Sequence, residues 1–117
     1  VYLWEVENTL RRKNLWKKRE KTIYRGYEKF LLLRAGYTHD IGKFAECEEY
    51  LQLAHKFTPD NVEIMQNILV VQIKQNDFNG ALRTVDILEP YLKPGEANIL
   101  RQDIIRRMKL HSHNMKE

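Results

Sequence analysis

Large apolar residues return along this chain every three or four positions, and nowhere do they alternate with polar ones for long. Trp16, Ile23, Tyr27 and Leu31 keep to one face of a stretch running from about 16 to 40. That spacing follows the α-helical turn rather than the two-residue period of a strand, so an all-α chain without sheet is expected. Residues 2–13 read as an earlier helix, set off by Asn14. Gly42 marks the turn into a helix from about Phe44 to Phe57. Thr58-Pro59-Asp60-Asn61 interrupts the chain again, with Asp60 or Asn61 placed to cap the next helix. Residues 62–75 and 78–89 form a further pair joined through Asn76-Asp77. Pro90 offers no N–H to the carbonyl of Asp86, so the end of that helix should kink or loosen. From Glu96 to about His111, the residues Ala97, Leu100, Ile104 and Met108 make an amphipathic stripe suited to capping the helices before it. Arg101, Asp103, Arg106 and Lys109 occupy the other face, which reads as solvated.

The pattern also repeats. Gly42-Lys43-Phe44-Ala45-Glu46-Cys47 returns 34 residues later as Asn76-Asp77-Phe78-Asn79-Gly80-Ala81. At the same lag Leu31 meets Met65, Ala35 meets Leu69, Leu51 meets Val85, Ala54 meets Leu88 and Phe57 meets Tyr91. Self-similarity at a fixed period marks stacked repeats, because one unit cannot bury its apolar face alone. Small residues at Ala35, Cys47 and Ala54 allow close approach of two helices, and Phe44 and Leu51 fill the space between them. The expected core is Ala35, Phe44, Cys47, Leu51, Ala54, Met65, Phe78, Ala81, Val85 and Leu88.

This helix–turn–helix period resembles the tetratricopeptide repeat (TPR) family, with repeats at residues 28–61 and 62–95. Residues 1–27 do not continue the register. One period downstream of Met65, Ile99 fits the large position, but Asp103 falls where a small apolar residue belongs. Leu69 and Arg34 also depart from the family pattern, Leu69 standing where a small residue is expected and Arg34 where leucine is usual. The resemblance implies a right-handed stack of helical hairpins (an α-α superhelix) in a single domain over 1–117. A basic helical segment would occupy 1–27, and a capping helix with a tail 96–117. It further implies a concave groove lined by the first helix of each repeat, at Lys29, Leu32, Leu33, Gly36 and His39, then Glu63, Gln66, Asn67, Val70, Ile73 and Lys74. Some family members grip an acidic C-terminal peptide there through a carboxylate clamp. Asn67 and Arg101 match clamp positions, but Leu32, Gly36 and Ala97 do not. An apolar or mixed peptide is therefore expected, contacting Leu32, Gln66, Asn67, Val70, Ile73, Lys74 and Arg101.

Composition narrows the picture. At 117 residues the chain can bury a core, and no run of about 20 apolar residues could span a membrane. It opens on Val1-Tyr2-Leu3-Trp4, which is no signal peptide, and reads as part of a longer protein. The net charge of +4 is unevenly placed: residues 1–26 hold eight Lys or Arg against three acids, whereas residues 27–95 hold seven against ten. Arg11, Arg12, Lys13, Lys17, Lys18 and Arg19 thus form a basic surface, interleaved with Trp4, Trp16 and Tyr24. It supports an alternative function, binding of nucleic acid or an anionic membrane surface with the repeats as support. Self-association of the repeats is a third reading. The lone Cys47 sits at a helix-packing position and reads as a small buried hydrophobe in a reducing compartment. A cytoplasmic protein is expected, with the soluble part of a membrane-anchored one as the alternative.

Chemistry adds little. His39, His55, His111 and His113 find no second metal ligand at convincing spacing, and His111-Ser112-His113 reads as a solvated tail. Glu46, Glu48 and Glu49 read as a solvated face rather than an acid/base pair. No phosphate loop or nucleophile motif occurs. The expectation is a scaffolding protein that binds a peptide or partner domain, without catalytic residues, metal or cofactor.

Overall fold

The computed structural model describes residues 18–116, with side chains from 26 to 114. The expected helix over 2–13 lies outside the described residues, as do Arg11, Arg12, Lys13 and Lys17 of the basic surface and the side chains of Lys18 and Arg19. Every described element is helical and no strand occurs among the described residues. The described residues divide into two compact units, the first ending at Asp60 and the second beginning at Asn61.

In the first unit α1 (Lys18–Asp40) and α2 (Phe44–Phe57) form a helical hairpin. α1 stops where Gly42 adopts φ 80°. The Gly42 N–H donates to the carbonyl of His39 at 3.1 Å and the Lys43 N–H to that of Thr38 at 2.8 Å. This pair of bonds is a Schellman turn, which needs a left-handed residue between helix and loop. Leu31, Ala35, Cys47, Leu51 and Ala54 are all buried. Buried Thr38 sends its hydroxyl back to the carbonyls of Arg34 and Ala35, so its polar atom is satisfied within its own helix. Tyr27 stacks on Phe57, with ring centroids 6.4 Å apart. The guanidinium of Arg34 lies 5.2 Å from the centroid of Tyr37 and 5.6 Å from that of Tyr50. Its hydrogen bond with Tyr50 raises its pKa further. Phe44 departs from expectation: as the first residue of α2 it is only half-buried, set edge-on to His39.

The second unit holds α3 (Val62–Lys74), α4 (Phe78–Leu88) and α5 (Glu96–Lys116). Asn61 caps α3, its side-chain oxygen accepting from the Ile64 N–H at 3.2 Å. α3 ends in the same device as α1: Asn76 stands at φ 60°, its N–H donates to the Ile73 carbonyl, and the Asp77 N–H donates to that of Gln72. Asp77 then caps α4 through the Gly80 N–H at 3.0 Å. Inside this hairpin buried Thr84 donates to the side-chain oxygen of buried Gln72 at 2.6 Å, joining α4 to α3. α4 ends at Leu88 and the chain passes at Pro90 into a single, tighter 3₁₀ turn, Glu89–Tyr91, so the α-helical course breaks where the N–H is missing.

α5 turns Ala97 and Ile104 into a core with Met65, Leu69, Phe78, Ala81, Val85 and Leu88, and Leu100 and Met108 pack against it. Because that stripe faces inward, Ile99 is rotated out and 66% exposed, although Leu31 and Met65 at the preceding periods are buried. α5 also runs past its expected end. No Gly or Pro interrupts it, and His111 continues the inward stripe to meet the Phe78 ring at 5.7 Å. His111 is therefore part of the helix rather than of a solvated tail.

Candidate partner-binding cleft

A cleft of about 360 Å³ opens within the second unit, between α3, the end of α4 and the start of α5. α3 contributes Gln66, Leu69 and Val70, spaced so that they share one side of the helix. Leu88 closes α4, and Leu92 follows the 3₁₀ turn with an extended backbone (φ −97°, ψ 160°) that carries it away from the helix axis. Glu96, Ile99 and Leu100 line the α5 side. Leu69 and Leu88 are buried and form the floor, while Val70 at 47% exposed and Ile99 stand at the rim. The cleft is thus apolar, with one amide (Gln66) and one carboxylate (Glu96) among its lining residues.

Of the groove residues expected from the sequence, Gln66 and Val70 line this cleft. Asn67 lies beside Gln66 on α3 and is exposed, and Lys74 is exposed at the end of that helix. Ile73 instead packs against the core of the unit, which leaves it half-buried. Leu32 is half-buried on α1, in the first unit. Sequence reasoning missed Leu69, Leu88, Leu92, Glu96, Ile99 and Leu100 as lining residues. Pro90 was the available signal for Leu92, since a loosened helix end sends the following residues in a new direction.

Arg101, read as part of a solvated face, is held by its own unit. One guanidinium nitrogen lies 2.7 Å from Asp86 and 2.7 Å from Glu89, and the other donates to Asn98 at 3.0 Å and to Glu89 at 3.3 Å. Its side chain is only 26% exposed. The hydrogen bond from Arg101 holds the Glu89 carboxyl below its usual range, and the same contacts raise Arg101 itself. Two residues further along, Asp103 receives both Arg107 and Arg106, which lower its carboxyl in that order.

Among the described residues no three His, Cys, Asp or Glu side chains gather as metal ligands, and no helix is long and apolar enough to cross a membrane. Glu46 and Glu49 are exposed on α2, and Glu48 accepts a bond from Gln52 at 3.3 Å. His39 lies 3.5 Å from Asp40, and Cys47 is buried and takes part in no disulfide. Comparison with known proteins finds no matching family, no matching curated protein and no matching solved structure.

Proposed function

We propose that this chain is an interaction module of the TPR kind, holding an apolar segment of a partner protein in the cleft of its second unit. The observation that carries the reading is the cleft itself: a buried leucine floor, with Val70 and Ile99 left exposed on two helices that a common core holds in place. Binding sites are typically concave and mostly apolar, with a few polar groups that orient the ligand. Gln66 and Glu96 supply those groups here. A volume of 360 Å³ suits one or two large side chains rather than a whole folded domain. The natural occupant is a short helix or extended peptide that presents an apolar anchor. The 34-residue lag and its two matching turns support the repeat character of the module. Its role is to hold a partner, not to transform a substrate.

The test is selection of peptides from a displayed library on the whole protein, followed by titration of the winners. Enriched sequences should carry one or two large apolar residues. Val70→Glu together with Ile99→Glu should abolish their binding with little loss of helicity, since both side chains already face solvent. Lys17→Gln, Lys18→Gln and Arg19→Gln should leave binding unchanged at physiological salt. If the basic-segment variant loses the peptides and the cleft variant keeps them, the cleft is not the working surface. The anionic-surface alternative would then stand in its place.

A further inference from the structure

The side of α5 turned away from the core carries a second surface. Counted from inward-facing Ile104, the residues Gln102, Arg106, Lys109 and His113 fall on the opposite side of the helix, with Ile105 on one flank and Leu110 on the other. These six line a shallow depression of about 560 Å³. Ile105 is 41% and Leu110 57% exposed. Along the axis the strip covers roughly 17 Å, about three helical turns.

We propose that this strip docks an acidic amphipathic helix of a partner protein, independently of the cleft. Charge decides the occupant. From Gln102 to His113 the helix carries Arg106, Arg107 and Lys109 against a single carboxylate, Asp103. Asp103 is shared between Arg106 and Arg107, so it neutralises only part of their charge. The local excess is positive and lies between two apolar flanks. A helix bearing carboxylates along its centre with aliphatic residues on either side matches both features, and the three-turn length matches a helix better than a loop. A second copy of this chain fits poorly, because like faces would set Arg106 and Lys109 against their own equivalents. A lipid surface fits poorly as well. Interfacial helices insert a broad apolar face, and Ile105 and Leu110 stand apart with cations between them.

The experiment uses the full chain and a library of helical peptides about 16 residues long, varied at central acidic and flanking aliphatic positions. Binding is read by fluorescence anisotropy. Selected peptides should be acidic in the centre and aliphatic at the flanks. Arg106→Glu with Lys109→Glu should weaken them about tenfold, as expected for losing two exposed charge pairs. The same peptide with its central acids changed to lysine should regain affinity for that variant alone. Circular dichroism confirms the fold, since Asp103 keeps Arg107 as a partner in the variant. Val70→Glu should leave this binding unchanged, which separates failure here from failure of the cleft. The proposal is overturned if no acidic helix is enriched, or if charge reversal has no effect on those that are. It is equally overturned if phosphatidylglycerol vesicles or a dimer of the chain occupy the strip more tightly than any peptide.

Discussion

Three glycines allow the backbone logic of the hairpins to be separated from their packing. A Cβ built on Gly36 or on Gly42 would meet nothing within 4 Å, so alanine at either site adds no clash. The two differ in backbone alone, since Gly36 lies inside α1 whereas Gly42 stands at φ 80°. Both substitutions restrict the unfolded chain equally, by about 0.4–1 kcal/mol. Gly36→Ala should therefore stabilise the protein by about 0.5–1 kcal/mol. Gly42→Ala gains the same and loses about 1–2 kcal/mol for a left-handed alanine, leaving it near neutral to about 1.5 kcal/mol less stable. The informative quantity is the difference of about 1–2 kcal/mol between the two variants, in which the unfolded-state effect cancels. Gly80 is a third case. Its Cβ would come within 2.2 Å of the Asp77 carboxylate that caps α4, so Gly80→Ala should displace the cap, and its helical gain is offset by about 1 kcal/mol. Urea unfolding followed by helical circular dichroism measures all three. If Gly42→Ala proved as stabilising as Gly36→Ala, the left-handed turn would not be what ends α1, and the account of the 34-residue lag given below would fail with it.

Phe78→Ala should cost about 3–5 kcal/mol, because the ring is buried in the core of the second unit and in contact with His111. A loss well under 1 kcal/mol in the same unfolding assay would mean that the ring is not a core residue. Arg101→Met should flatten the acid side of the stability–pH profile. Glu89 has a depressed carboxyl in the folded state, so its contribution is full above the ordinary glutamate range and is lost as pH falls through the folded value. The gap between wild type and variant should thus be present at neutral pH, close in acid and shrink in high salt, and a gap that widened in acid would reverse the assignment.

The lag of 34 was legible because the chain uses one turn twice. Gly42 and Asn76 are aligned by it, and both stand in the left-handed region with the same two backbone bonds around them. Glycine and asparagine look dissimilar, yet they are the two residues that most readily take this conformation at a helix end. All but one of the expected core residues are buried, for the related reason that helical burial follows spacing, but Leu53, Ile64, Ile68 and Val71 are buried too and lie outside the expected set. Phe44 was misjudged because its position in the period is shared with Phe78, whereas its neighbours are not: Phe78 has α5 and His111 beside it, and Phe44 meets the edge of His39. α5 abandons the repeat register, as Asp103 in the small apolar position signalled, and it turns inward the 97, 100, 104 and 108 stripe that the spacing predicts, which leaves Ile99 exposed. Of the eight residues that line the cleft, only Gln66 and Val70 were legible, as groove positions that the resemblance implies, whereas Leu92 and Glu96 enter through the path of an irregular segment, which no periodicity encodes. Ile105 and Leu110 were passed over for a third reason: both lie off the inward stripe, on either side of Arg106 and Lys109, on a face that reads as solvated.

The irregular segment after α4 links these observations. A helix continued through residue 90 would have carried Leu92 onward along the axis of α4. Proline prevents this, the chain tightens into a 3₁₀ turn, and Leu92 leaves it extended to become a wall of the cleft. The same turn places Glu89 so that it and Asp86 both reach the guanidinium of Arg101 on α5. Arg101 follows directly after Ile99 and Leu100, the two apolar walls that α5 contributes. Its fork of bonds thus ties the α5 side of the cleft to the α4 side. An arginine at this position in a carboxylate clamp would project its charge toward a ligand. Here the charge is consumed within the unit, and what remains open beside it is aliphatic. That distinction favours a partner read through apolar side chains over one read through a terminal carboxylate. Under the proposed function Arg101 is a positioning residue: its loss should loosen the cleft without removing any contact with the proposed occupant.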